Sequence, residues 1–202
     1  MLTWRELTQK ERANYYHNRL ENDFPADEVK PLASIEMMYL RGIYLFCGFF
    51  EDDRPIGYAC MMTPKEGKFT LLDYFAIDPA LRGQGYGTKL LAMIREEILP
   101  AGNSLMIEAE DPDYAESADD LATRTARIRF YEHAGMRLSD VRGYVFGVRY
   151  RIFTGGTECS DAALAEGMRT AYHTMLPTKI YEKNIVSPFW KHKTYHFSLH
   201  RV

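Results

Sequence analysis

A mixed α/β domain is the fold class this sequence predicts, on three observations. Three aromatic- and β-branched-rich runs, GIYLFCGFF (42–50), PIGYACMMT (55–63) and FTLLDYFAI (69–77), are separated only by EDDR and PKEGK. That is the pattern of an antiparallel meander with short loops. Helical stripes precede the meander, and helices alternate with strands after it, which excludes a regular βαβ series. The length of 202 residues suits one well-packed domain and is short for two.

In chain order, residues 7–20 are polar with scattered apolar positions and read as a surface helix. Pro31 stands where a first helical turn favours it, Leu32, Ile35 and Tyr39 follow at spacings of three and four, and Gly42 ends the run. Beyond the meander comes LRGQGYGTK (81–89), then a helix with Leu90, Leu91, Ile94 and Ile98 on one face, stopped by Pro100. SLMIEAE (104–110) reads as a strand. DDLATRTARIRFYEHAG (119–135) reads as a helix with Ala126, Phe130 and Ala134 in one row and Gly135 at its end. GYVFGVRYRIF (143–153) alternates as a single strand, with Tyr144, Phe146, Val148, Tyr150 and Ile152 on one face. Gly155–Gly156 is the expected boundary between a domain over 1–154 and a C-terminal region, 155–202, that packs on it. In that region Leu164, Met168, Tyr172 and Met175 space out a helix ending at Pro177, and an aromatic tail follows. Trp4 and Trp190 are expected to help dock the two ends. The tail's apolar face (Tyr195, Phe197, Leu199) is expected to join a sheet edge, in its own subunit or across a homodimer.

Several function classes drop out on composition. A net charge of −3 gives no electrostatic footprint for nucleic acid. No apolar run approaches the ~20 residues of a membrane span, and MLTWRELTQKER lacks the apolar core of a signal peptide. Cys47, Cys60 and Cys159 have neither disulfide nor zinc spacing, so a reducing, cytoplasmic setting and no metal are expected. His192, His196 and His200 read as one face of an edge strand rather than as ligands. The acidic run EAEDPDYAESADD (108–120) holds seven acids and no base. It reads as a solvated loop, with Asp119 or Asp120 capping the next helix, or as an attractor of a cationic amine.

The glycine-rich loop carries the chemistry. The Walker spacing fails because Lys89 follows Thr88, and the dinucleotide fingerprint fails because position 88 is threonine. What remains is Arg82-x-x-Gly85-x-Gly87 at a strand-to-helix junction, where successive amides and the helix dipole suit a pyrophosphate. The sequence here resembles the acetyl-CoA loop of the GNAT superfamily of N-acetyltransferases. RIRFYEHAGM (127–136), about 50 residues later, resembles that family's second signature, and the likeness covers roughly residues 3–153. It implies a mixed, mostly antiparallel sheet flanked by helices, and transfer of an acetyl group from acetyl-CoA to an amine on a small molecule or protein. It also implies that the backbone of Arg82, Gly83, Gln84, Gly85, Tyr86, Gly87 and Thr88 holds the pyrophosphate, while Phe75, Ala76 and Ile77 run beside the pantetheine arm. Arg124 and Arg127 replace the asparagine and alanine common in relatives, and either reach the cofactor phosphates or lie in solvent. A non-catalytic acyl-CoA-binding domain of the same fold is the competing reading.

Acetyl transfer needs a neutral amine, and an alkylamine with a pKa of about 10.4 costs roughly 4–5 kcal/mol to deprotonate at neutral pH. A base is therefore expected. Asp73, the one charge in FTLLDYFAI, is a candidate provided no cation pairs with it, and Glu108 in SLMIEAE is the other. The resemblance makes Tyr131 the general acid for the leaving thiolate, and a strand amide near Phe75 or Ala76 the group that polarises the carbonyl.

Overall fold

A computed structural model of the chain describes residues 1–26 and 28–189. Its strands are β1 (Leu2–Glu6), β2 (Tyr44–Glu51), β3 (Arg54–Met62), β4 (Phe69–Ile77), β5 (Ser104–Glu110), β6 (Arg137–Val145), β7 (Val148–Gly156) and β8 (Ile185–Phe189). They form one sheet in the order β1-β2-β3-β4-β5-β7-β6-β8. Every pair is antiparallel except β4–β5. The mixed, mostly antiparallel sheet expected from the sequence is thus present.

Helices cover both faces. On one side lie α1 (Gln9–Tyr15), its π continuation Tyr16–Leu20 and the turn α2 (Glu21–Asp23), together with α3 (Leu32–Leu40) and α6 (Asp161–Met175). Tyr16, Leu20, Ile35, Met38, Leu164, Ala165, Met168, Ala171 and Tyr172 share one buried cluster with the strand residues Phe46, Met106 and Ile152. On the other side lie α4 (Tyr86–Met93), its π continuation Ile94–Ile98 and α5 (Ala118–His133). Leu90, Leu91, Ile94, Ile128 and Tyr131 pack there against Cys47, Ile107 and Phe153. The strand residues of the two clusters are sequence neighbours, as the period-2 pleat requires. In α5 the buried residues are Ile128 and Tyr131, with Ala134 at the C-cap; of the row expected through Ala126, Phe130 and Ala134, only Ala134 is buried.

Three features go beyond the sequence reading. Residues 2–6 form a strand that the sequence reading did not assign, paired with β2 from Leu2↔Glu51 to Glu6↔Cys47. Trp4 is half-buried in it against the α4–α5 cluster. The single strand expected over 143–153 is a hairpin: Val145 pairs with Val148 across Phe146 and Gly147, whose φ values are 47° and 89°. Gly155 and Gly156, at the expected boundary, form the end of β7, paired with Leu105 and Ser104. A Cβ on Gly155 would lie 2.7 Å from Met136 Sδ, and one on Gly156 2.7 Å from Leu99 Cδ2, so both glycines permit close packing.

Past α6, helix α7 (Thr178–Asn184) leads into β8, which pairs with β6 at Val145↔Ile185. Among the described residues β8 therefore forms the sheet edge beside β6. Trp190, the face of Tyr195, Phe197 and Leu199, and His192, His196 and His200 lie outside the described residues. No helix among the described residues is long and apolar enough to cross a membrane.

Candidate active site

The β4–β5 pair is the one parallel junction of the sheet, and its pairing ends early. Hydrogen-bonded register runs from Phe69↔Ser104 to Leu72↔Ile107 and goes no further. Beyond that point β4 stays with β3 to Ile77, and β5 stays with β7 to Glu110. The edges of β4 and β5 that face each other there have no strand partner among the described residues. A bulge at Asp73, between the pairs Met61↔Leu72 and Cys60↔Tyr74, accompanies the parting. A cavity of about 1260 Å³ lies at the gap and is lined by residues from both faces of the sheet.

The glycine-rich loop closes the α4 side of this cavity, which Arg82, Gly83, Gly85, Gly87 and Thr88 line. Gly83 and Gly85 have φ of 75° and 81°, and Gly85 is the N-cap of α4. A Cβ at either position would meet nothing within 4 Å, so the backbone conformation is what requires glycine. Gly87 differs, because a Cβ there would lie 2.9 Å from Phe130 Cε2. Its smallness seats α4 against α5. The first amide to close an α4 turn is that of Lys89, which donates to the Gly85 carbonyl at 3.3 Å. The amides before it sit at the positive end of the helix, an arrangement suited to an anion. Two loop side chains point away: Gln84 donates to the Ala80 carbonyl at 2.9 Å, and Tyr86 bonds Glu51. Arg82 donates to Asp23 at 3.1 Å.

The three candidate catalytic side chains all line the cavity. Asp73 is held by Lys30 Nζ at 2.6 Å and by the Tyr44 hydroxyl. The condition set for it as a base, no paired cation, is therefore not met. Burial works against the Lys30 ammonium, but the facing Asp73 carboxylate outweighs it and keeps the pKa above the usual lysine value. Glu108 is in the opposite state. Its Oε2 accepts from the Tyr172 hydroxyl at 2.6 Å, while its Oε1 is buried with no partner. Burial pushes the carboxyl up to about 7, against the lowering effects of Tyr172 and Lys30. The Tyr131 ring packs on Phe130 and Phe153, with centroids at 5.1 and 5.4 Å. Burial raises its pKa, so the phenol stays protonated.

Residues 4–136 match the acetyltransferase (GNAT) family. The chain belongs to that family. It is 26% identical over 129 residues to YjbC of Bacillus subtilis (strain 168), itself a provisional acetyltransferase, and the match spans 64% of this chain and 60% of YjbC. A GNAT-family structure from Bacteroides thetaiotaomicron superposes with a TM-score of 0.69 at 24% identity, covering 85% of this chain and 96% of that one. The structure of yncA from Salmonella typhimurium with acetyl-CoA gives 0.53 at 19%, covering 79% and 95%. At these identities the likeness to solved structures establishes the fold.

Within this GNAT fold the acidic run 108–120 is paired in its first part and exposed at Asp113, Glu116 and Asp119. Glu110 pairs with Arg124 at 3.2 Å and Arg127 at 2.9 Å, and Arg151 pairs with Asp111 at 2.8 Å and Asp113 at 2.9 Å. Arg124 and Arg127 are thus anchored on β5; Arg127 also lines the cavity. The cap of α5 is Ser117, which accepts from the Asp120 amide at 3.1 Å, not Asp119 or Asp120. Among the described residues no group of three His, Cys, Asp or Glu side chains is placed to hold a metal. Sequence reasoning missed Lys30, Tyr44 and Tyr172 at the site. Tyr172 had one legible signal, a hydroxyl on an otherwise apolar helix face, since a buried tyrosine hydroxyl usually finds a partner.

Proposed function

We propose that this GNAT-family chain transfers an acetyl group from acetyl-CoA to an amine, with Glu108 as general base and Tyr131 as general acid. The observation that carries the reading is the buried, unpartnered Oε1 of Glu108 inside the cavity. The loop amides of residues 82–88 fit the pyrophosphate, because the Gln84 and Tyr86 side chains point away and the space above Gly83 and Gly85 is open. The free β4 edge at Phe75, Ala76 and Ile77 fits the amides of the pantetheine arm, as an added strand would. An amide near Phe75 or Ala76 would polarise the thioester carbonyl.

Glu108 Oε1 takes the amine proton as the nitrogen attacks the carbonyl carbon and the carbon–sulfur bond breaks. The Tyr131 hydroxyl gives its proton to the departing thiolate, an acid and base of similar strength. Asp73, already paired, serves instead to keep Lys30 in place and the cavity wall neutral. That assignment ranks the two carboxylates in favour of Glu108.

The test is the pH dependence of kcat/KM for the wild type and for Glu108→Gln. Since the base must be deprotonated, the wild-type rate should rise with pH through about 7. Glu108→Gln should flatten that limb and cost ~10²–10⁴-fold with acetyl-CoA affinity unchanged; Tyr131→Phe should show the same split between turnover and affinity. Acetyl-CoA binding without CoA release for any amine would instead favour the non-catalytic binding domain.

A further inference from the structure

The cavity is larger than the ~300–1,000 Å³ of a single-ligand pocket, at about 1260 Å³. Its loop side is accounted for by the cofactor. The remaining lobe lies on the α3–α6 face, and its walls give chemical information about the second reactant. This inference rests on the transferase reading above.

The charge inventory of that lobe is short. Asp73 is neutralised by Lys30 at 2.6 Å, and Asp23 is shared by Arg19 at 3.3 Å and Arg82 at 3.1 Å. Glu28 is already engaged. Among the described residues of the lobe, only Glu108 has a buried carboxylate oxygen with no partner. The lobe also contains the Lys30 ammonium and Arg41, whose guanidinium donates to the Thr174 carbonyl at 3.1 Å. A second ammonium on the acceptor would meet these cations or bare apolar wall, and a buried unpaired charge is costly.

The rim is apolar in an unusual way. Met37 and Phe146 both line the cavity, yet they are 61% and 53% exposed. Phe146 adopts φ of 47° in a two-residue hairpin turn, a position where Asn, Asp or Gly is the unstrained choice. A bulky side chain held there against its backbone preference, and left in water, points to a contact made with a ligand. Met37 adds an adaptable apolar surface to the same cavity.

We infer that the acceptor is a small amine with a single positive charge and an apolar body. Its nitrogen lies at Glu108, and its body is seated against Phe146 and Met37. Polyamines and aminoglycosides, with several ammonium groups, are the excluded class.

The experiment compares kcat/KM by CoA-thiol release for 2-phenylethylamine, hexylamine, spermidine, kanamycin and a short peptide, alongside acetyl-CoA affinity by calorimetry. The apolar monoamines should exceed the polycations and the peptide by at least ~10-fold, since even one methylene in an apolar pocket can be worth that much. Preference for a polycation or the peptide overturns the inference and leaves the transferase reading standing. No turnover of any amine despite acetyl-CoA binding overturns both. Phe146→Asn relieves the backbone strain, so it should keep or raise the melting temperature and leave acetyl-CoA affinity intact. It should also raise KM for 2-phenylethylamine by ~10-fold or more. An unchanged KM in that folded variant overturns the seat at Phe146 and with it the inference.

Discussion

Glu108 illustrates how one residue can set activity against stability. Burial lifts its carboxyl from the ordinary 4.5 to about 7. Between those values the native state keeps a proton that the unfolded chain has already released. The stabilising contribution is therefore full below about 4.5 and is lost as pH rises through about 7. Once ionised, the carboxylate costs the fold up to about 3 kcal/mol. Glu108→Gln should accordingly melt above the parent at pH 8 and level with it at pH 4.5. A variant that melts lower at pH 8 would show that the ionised form is stabilised by the fold, contrary to the geometry. Both acids were legible in the sequence as charges within largely apolar strands. What separates them was not, because the deciding partners are remote: Lys30 lies 43 residues before Asp73, and Tyr172 lies 64 residues after Glu108.

At the scale of elements, α6 and the glycine loop each add something to the site. The family match ends at residue 136, yet α6 beyond it supplies the hydroxyl that holds Glu108 Oε2. The groups facing that carboxyl are Tyr172 on α6, Lys30 before α3, Asp73 on β4 and Tyr150 on β7. Of these, Tyr172 and Lys30 lower its pKa and Asp73 raises it. Tyr172→Phe removes the hydrogen bond that favours the ionised form, so the rising limb of kcat/KM should move to higher pH, by about 1 unit. A lower rate with an unmoved limb would make Tyr172 merely structural. In the loop, Gly87→Val should lower the melting temperature as well as acetyl-CoA affinity, because Phe130 must move. Gly85→Asn should retain both, since asparagine tolerates a positive φ. Calorimetry and thermal melts on the two variants check this. The loop was legible because its spacing is local. The β6–β7 hairpin was not: Tyr144 and Phe146 extend the alternation of Val148, Tyr150 and Ile152 straight through a two-residue turn. Across that turn Val145 pairs with Val148, so the face-sharing parity reverses, and Tyr144 ends on the opposite face.

For the whole molecule, the sheet's one parallel junction opens the cavity, and the rest of the chain holds that opening in place. The order of elements, read from periodicity and resemblance, was enough to anticipate a mixed sheet with helices on its flanks. It could not show where β4 and β5 part, because that depends on long-range pairing with β3 and β7. Nor did the glycine pair at 155–156 reveal itself as strand packing, since its neighbours Met136 and Leu99 are distant in sequence. The C-terminal elements complete the argument. Removing residues 178–202 takes away α7 and β8, baring the β6 edge from Arg142 to Val145. It also removes Tyr181 and Ile185 from the α3–α6 core. Burying two such side chains is worth roughly 3–6 kcal/mol, a large share of the ~5–15 kcal/mol that holds a typical domain folded. The truncated protein should therefore melt markedly lower, and its bare edge should drive concentration-dependent association in sedimentation. Below its new melting point it should still bind acetyl-CoA, because β5, β7 and β6 separate the lost strand from β4. An unchanged melting temperature and mass would make α7 and β8 an appendage, and lost affinity in a folded truncation would place them in the cofactor site.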